Sequence, residues 1–110
     1  MQNKITVIVV NPKSETVESK EIVVEDIAKE VGNTPLTAIE FQDHVMFLDD
    51  NGLLRENQNH FRIEYEDALE KYIFNESFTG NGVITKIDDE GFSISATLTA
   101  EDVEQNITWI

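Results

Sequence analysis

The 110-residue sequence contains no cysteine. Disulfides, thiolate metal sites and thiol catalysis are therefore excluded, and the fold must rest on packing alone. Long apolar runs are also missing, because the apolar residues that follow Lys4 end at Asn11-Pro12, too soon for a signal peptide or a membrane span. We therefore expect a cytoplasmic protein with no attachment to a membrane.

Basic residues are scarce, with eight Lys and Arg against 22 Asp and Glu and a formal net charge of -14. A surface that binds nucleic-acid phosphates needs a stripe of Lys and Arg, and here these residues are scattered singly along the chain. Direct nucleic-acid binding is therefore not expected, and a basic protein is the kind of partner that the charge favours. The alternative is that the acidic surplus only keeps a small protein soluble and monomeric.

The length and the 40% hydrophobic content predict a single domain over residues 1–110. Apolar patterning and turn residues predict the following strands and helices. The strands cover residues 5–10, 20–24, 36–41, 44–48, 83–87 and 92–98, and the helices cover residues 25–31, 66–73 and 99–105. The alternation at residues 61–65 is left without an assignment. The fold class is thus α+β, a mixed but mainly antiparallel sheet of five or six strands with two or three short helices in a single layer on the sheet.

Turn and capping signals mark several of these boundaries. Asn51-Gly52 predicts a hairpin turn after the strand at 44–48, and residues 88–91 predict a second hairpin turn. Gly32 should end the first helix in a left-handed conformation, and Thr99 with Asp102 resembles a capping box at the start of the last one. At the C-terminus, Trp109 and Ile110 are expected to fill the domain's own core, with the core of a partner as the alternative.

The sequence carries no recognisable catalytic or metal-binding motif. His44 heads a predicted strand and His60 lies in a polar loop, and neither stands in a nucleophile motif. In an EF-hand the first ligand lies five residues before the glycine, a place held here by Phe47 and Lys86. We therefore expect no enzyme activity, no metal and no cofactor, with dispersed carboxylates of a hydrolase as a residual possibility.

Two acidic patches are candidate partner-binding surfaces. The first lies on or beside the predicted helix at 66–73: Glu64, Glu66, Asp67 and Glu70. The second lies after Lys86, where no basic residue follows, and forms one face if the 88–91 turn lies near the last helix: Asp88, Asp89, Glu90, Glu101, Asp102 and Glu104. The alternative is that both patches are solvated surface without a partner.

A polar loop and a glycine bend offer a different function, the binding or sequestering of a small ligand such as a nucleotide signal by a protein that is possibly oligomeric. The pocket would be built from Asn57, Asn59, His60, Arg62, Gly80 and Gly82. Amide, imidazole and guanidinium groups recognise such ligands, and glycine lets backbone amides approach a phosphate.

Several short segments occur together in order: the strand ending in Asn11-Pro12, the helix ending at Val31-Gly32, then LDDNG, NQNHFR, FTGNGVIT and ATLTAEDVE. This set resembles a family of small uncharacterised phage and mobile-element proteins, catalogued only as a domain of unknown function. The polar insertion over residues 61–77 is longer than the family pattern usually shows.

The resemblance implies no catalytic residue, and by analogy it favours an accessory protein that acts on a host factor. The leading hypothesis is a non-enzymatic acidic protein in the cytoplasm of a bacterial host. As a monomer or small homo-oligomer, it would imitate nucleic acid to bind and inhibit a basic host protein, such as a nuclease or other defence component.

Overall fold

A computed structural model describes residues 4–32, 36–41, 44–49, 60–67 and 72–109. The chain starts with a hairpin of β1 (Lys4–Asn11) and β2 (Thr16–Val23), paired in register from Lys4 opposite Val23 to Asn11 opposite Thr16. The β-branched residues of β1 suit a central strand that is covered on both faces. The structure starts β2 at Thr16 and thus extends the predicted strand at 20–24 towards the hairpin turn.

The main sheet has six strands in the described part of the chain. They include β3 (Leu36–Phe41), β4 (His44–Asp49), β7 (Gly82–Ile87) and the two-residue β8 (Ser93–Ile94). The order is β2-β1-β7-β4-β3, with β8 paired to the end of β7, and every strand pair described is antiparallel. The predicted α+β class with a mainly antiparallel sheet of five or six strands is therefore confirmed.

One face of the main sheet is covered by a short helix, α1 (Ile27–Val31), which follows a single 3-10 turn at Val24–Asp26. The helix packs Ile27 and Val31 onto the apolar side chains of β1 and β7 on this face. Gly32 ends the helix with a φ of 131°, as the glycine signal predicts, and its N–H donates to the Ala28 carbonyl oxygen. An ion pair between Lys20 and Glu30, at 2.8 Å, joins β2 to α1.

The opposite face packs against a second, three-stranded sheet of order β6-β5-β9. Its strands are β5 (His60–Asp67), β6 (Tyr72–Thr79) and β9 (Ile107–Trp109). Phe61 and Ile63 of β5 are buried in the core between the sheets, and Trp109, opposite Phe61 in the β5–β9 pair, packs against that core. The predicted packing of Trp109 within the domain is therefore confirmed, whereas Ile110 lies outside the described residues.

The second helix, α2 (Ala100–Glu104), packs Val103 into the same core as the second sheet. The two helices therefore lie on opposite faces of the main sheet, so the predicted single layer of helices is wrong. The physical reason is that β1, β4 and β7 each carry apolar residues on both faces, so both faces need a cover.

The helix predicted over residues 66–73 is wrong. Glu66 belongs to β5 and Ile73 to β6, and these two residues are register partners in an antiparallel pair. The spacing of Leu69, Tyr72 and Ile73 fits a helix only weakly, and aromatic and β-branched residues favour the strand that pairing with β5 provides. The predicted turn at Asn51-Gly52 lies outside the described residues.

The strand predicted over residues 92–98 is much shorter than expected, because only Ser93 and Ile94 pair with β7. The chain then crosses to β1, where Thr6 donates its N–H to Ser95 Oγ at 3.0 Å and accepts from the Ala96 N–H at 2.9 Å. This segment thus hydrogen-bonds to β1 on the N-terminal side of the residues at which β1 pairs with β7.

A search of the described residues for a membrane-spanning helix finds none with the necessary length and apolar character.

Candidate functional site

The turn at residues 88–91, here called the acidic turn, is held in shape by the side chain and backbone of Asp88. Its Oδ1 accepts from the backbone N–H groups of Glu90 and Phe92, each at 2.9 Å. Its backbone N–H donates to the Phe92 carbonyl oxygen at 2.9 Å, and its carbonyl oxygen accepts from the Gly91 N–H at 3.0 Å. Gly91 has a φ of 90°, a value that favours glycine. The carboxylates of Asp89 and Glu90 are exposed.

The acidic residues of α2 divide in the same way into structural and exposed groups. Thr99 and Asp102 form the predicted capping box, in which Thr99 Oγ1 accepts from the Asp102 N–H at 3.0 Å. In return, Asp102 Oδ2 accepts from the Thr99 N–H at 3.1 Å. Glu101 and Glu104 are exposed. Of the six acids in this patch, Asp88 and Asp102 therefore serve local structure, and four others are exposed without such a local role among the described contacts.

The first acidic patch does not lie on a helix. The structure places Glu64, Glu66 and Asp67 on β5, in the second sheet, whereas Glu70 lies outside the described residues. The prediction that these acids share a helical surface fails with the helix itself. Their positions on β5 do not by themselves form a binding site.

The residues of the alternative ligand pocket are only partly brought together. His60 pairs with Thr79 across β5 and β6, which brings it beside Gly80 at the bend. Arg62 lies two residues further along β5 and is half-buried. Asn57 and Asn59 lie outside the described residues.

The glycine bend has a packing role. A Cβ atom at Gly82 would lie 2.9 Å from Met46 Sδ and 3.3 Å from Phe61 Cζ, so Gly82 lets β7 approach the core closely. Asn81 donates from Nδ2 to the Glu30 carbonyl oxygen at 3.4 Å, which ties the bend to α1. Packing explains Gly82 without a phosphate, because the space in front of it is filled by side chains, and Gly80 has a φ of 82°, a value that favours glycine.

His44 is a structural residue that the sequence did not reveal. It is 4% exposed, and its Nε2 accepts from the backbone N–H groups of Thr97 at 3.0 Å and Leu98 at 3.4 Å. The Thr97 hydroxyl lies 3.2 Å from the same nitrogen. Because these hydrogen bonds join the ring to the backbone at Thr97 and Leu98, His44 anchors the segment that leads to α2.

The same ring borders a half-open cleft of about 200 Å³, lined by Glu40, His44, Val45 and Ile87. This volume lies below the range of roughly 300–1,000 Å³ that small-molecule sites occupy. Because His44 Nε2 is already engaged, the cleft does not offer a free base beside its carboxylate. Among the described residues, no group of three or more His, Asp and Glu side chains is placed to hold a metal ion.

Exposed apolar side chains lie next to the acidic turn. Among the described residues, two large hydrophobic side chains are exposed: Phe92, at 64%, and Ile94, at 38%. They stand at the end of the acidic turn and on β8, two residues apart. Sequence patterning missed this feature, because the alternation of Phe92, Ile94, Ala96 and Leu98 predicts one buried face.

Comparison with curated proteins and with solved structures finds no match to this chain. A comparison with protein families finds one over residues 5–108, described as "Domain of unknown function (DUF3846)". The matched range takes in all of the described strands and helices except the first residue of β1 and the last residue of β9. The chain therefore belongs to this family of domains of unknown function.

Proposed function

We propose that this domain is a non-enzymatic interaction protein that binds and inhibits a basic protein, with its carboxylates taking the place of nucleic-acid phosphates. The observation that carries the proposal is the location of the charge. Eleven acidic residues are exposed among those whose side chains the structure describes: Glu15, Glu18, Glu21, Glu25, Asp26, Glu40, Asp89, Glu90, Glu101, Asp102 and Glu104. Four lysines are exposed in the same part of the chain.

Few of these charges are neutralised within the molecule. Lys20 is engaged with Glu30, which is not one of the eleven exposed acids, and none of those eleven forms an ion pair among the contacts of the described residues. An exposed carboxylate surface attracts Lys and Arg side chains over a distance set by the ionic strength, and it repels nucleic acid. A nuclease or another nucleic-acid-binding protein presents such a basic surface, so it is the partner class that fits the charge.

We further propose a biological setting for this activity, by analogy with small accessory proteins of phages and mobile elements. In that setting, the domain is a phage or mobile-element product in the cytoplasm of a bacterial host, where blocking a defence nuclease is a common need of such elements. This part of the proposal rests on analogy and on the charge together.

The test is a binding measurement against a panel of purified basic nucleases at about 50 mM and about 300 mM salt, with duplex DNA as competitor. We expect binding that weakens by about tenfold or more over this range and that duplex DNA displaces. Failure of every nuclease to bind, or binding that neither salt nor DNA reduces, would contradict the proposal.

Charge-neutralising variants locate the contribution of each surface. Asp89→Asn with Glu90→Gln alters the acidic turn, and Glu101→Gln with Glu104→Gln is the matched pair on α2. All four side chains are exposed, so the fold should tolerate these changes. The pair that contributes to the interface should lower the association rate and reduce the dependence on salt.

A further inference from the structure

Phe92 and Ile94, here called the apolar pair, belong to a segment with an apolar residue at every second position. Only the second half of this segment packs against the core. Ala96 and Leu98 continue the same alternation and pack against the core between the sheets. Phe92 is 64% exposed and Ile94 38% exposed, although the four residues follow one pattern. Large apolar side chains gain free energy on burial, so their exposure at one place indicates a surface that a partner covers.

The acidic turn holds the apolar pair in a fixed position. The Phe92 N–H donates to Asp88 Oδ1 and its carbonyl oxygen accepts from the Asp88 N–H, each at 2.9 Å. Ile94 is fixed by pairing with Lys86 in the main sheet. A backbone that is already ordered loses little entropy when its side chains are buried by a partner.

The surrounding charge selects the partner. Asp88, Asp89 and Glu90 lie two to four residues before Phe92, and Lys86 lies opposite Ile94, so carboxylates outnumber the ammonium group. A second copy docked symmetrically on this surface would bring two acidic turns together, which like-charge repulsion opposes. An anionic membrane surface is disfavoured for the same reason.

We propose that the apolar pair is the anchor of a docking surface for a basic protein, with Phe92 and Ile94 entering an apolar pocket rimmed by Lys and Arg. Asp89 and Glu90 contact that rim. This inference rests on the proposed function and names the surface through which it acts. Aromatic anchors surrounded by polar groups are the usual energetic centres of protein interfaces.

Two fluorescent peptides of about twelve residues serve as probes, each with six arginines. One contains only glycine and serine besides arginine, and the other carries leucine at three of those positions. Fluorescence anisotropy at about 100 mM salt should show the wild-type protein binding the leucine peptide about fivefold or more tightly than the glycine-serine peptide. Equal affinity of the two peptides for the wild-type protein overturns the anchor and leaves the proposed function standing.

Variants locate the preference on the protein. Phe92→Ser with Ile94→Ser should bind both peptides equally, at the affinity that the wild-type protein has for the glycine-serine peptide. Phe92→Leu, which keeps an apolar side chain, should retain a preference. If the double serine variant keeps the full preference, the anchor is overturned; if neither peptide binds the wild-type protein, the proposed function fails as well.

Discussion

At the scale of single residues, Thr85 is a buried polar group without a described role. It is fully buried on β7, and its hydroxyl finds no hydrogen-bond partner in the part of the chain that the structure describes. Its cross-strand neighbour on β4 is Val45, whose side chain has no group that could hydrogen-bond to the hydroxyl. A buried hydroxyl in this state costs stability, because it has given up its hydrogen bonds to water.

The variant Thr85→Val should therefore be more stable than the wild-type protein by about 1 kcal/mol, since valine removes the unpaired hydroxyl and keeps the branched shape. Urea denaturation measures the change. Thr108→Val is the matched control, because Thr108 is exposed on β9 and its replacement should alter stability by less than about 0.5 kcal/mol. A loss of stability in Thr85→Val would show that the hydroxyl has a partner.

His44 gives the opposite expectation. Removing its ring leaves the N–H groups of Thr97 and Leu98 without their acceptor, so His44→Leu should lose about 1–3 kcal/mol of stability in urea denaturation. His44→Gln keeps an acceptor near the position of Nε2 and should lose less. Equal losses for the two variants would mean that packing, and not the hydrogen bonds, makes His44 important.

At the scale of secondary-structure elements, signals that depend on nearby residues in the sequence predict the structure correctly. The strand at 36–41, the left-handed Gly32 and the reciprocal cap of Thr99 and Asp102 all occur as predicted, because each depends on neighbours a few residues away. The pairing of Glu66 with Ile73 was mistaken for a helix, since a hairpin and a weak helical stripe place apolar residues at similar spacings.

Long-range pairing was beyond local signals. The second sheet joins β5 to β9, which are far apart in sequence, and this pairing decides that Trp109 is covered. Ala96 and Leu98 pack against the core that contains Phe61 and Ile63 of β5. The acidic turn of the candidate site was therefore predictable, whereas the exposed apolar pair was not.

The capping box of α2 makes a prediction at this scale. Thr99→Ala removes the acceptor for the Asp102 N–H and should lower stability by about 1 kcal/mol. Glu104→Ala is the control on the same helix, because an acid near a helix C-terminus is not favoured by the dipole and its loss should not destabilise. Urea denaturation of both variants checks the difference, and an unchanged Thr99→Ala would contradict a role for the cap.

The ion pair between Lys20 and Glu30, which joins β2 to α1, can be detected through the pKa of Lys20. The hydrogen bond from Glu30, and next its charge, raise the pKa of Lys20 above the ordinary value of 10.5. Because the pKa of Lys20 is higher in the folded protein than in the unfolded chain, the ion pair stabilises the fold fully at a pH below the unfolded pKa. This stabilisation is lost as the pH rises through the folded pKa. In an NMR titration, Glu30→Gln should lower the pKa of Lys20 towards 10.5, while Glu18→Gln should have a smaller effect. An unchanged pKa in Glu30→Gln would mean that the pair does not persist in solution.

At the scale of the whole molecule, two properties combine in one account of function. In the proposed function, the net charge of -14 supplies a long-range attraction for basic proteins, and the apolar pair supplies a short-range contact at one place on the surface. Charge alone attracts many basic partners with little selectivity. The proposed apolar anchor beside the acidic turn would select those that also offer a pocket.

The most direct test of this account maps the binding surface by NMR, with the backbone amide signals followed while the arginine-leucine peptide is added. The account predicts that the largest shift changes fall on residues 88–94 and that they vanish in the Phe92→Ser, Ile94→Ser variant. Changes centred instead on β5 and the bend at residues 80–82, or changes that survive in the double variant, would contradict it.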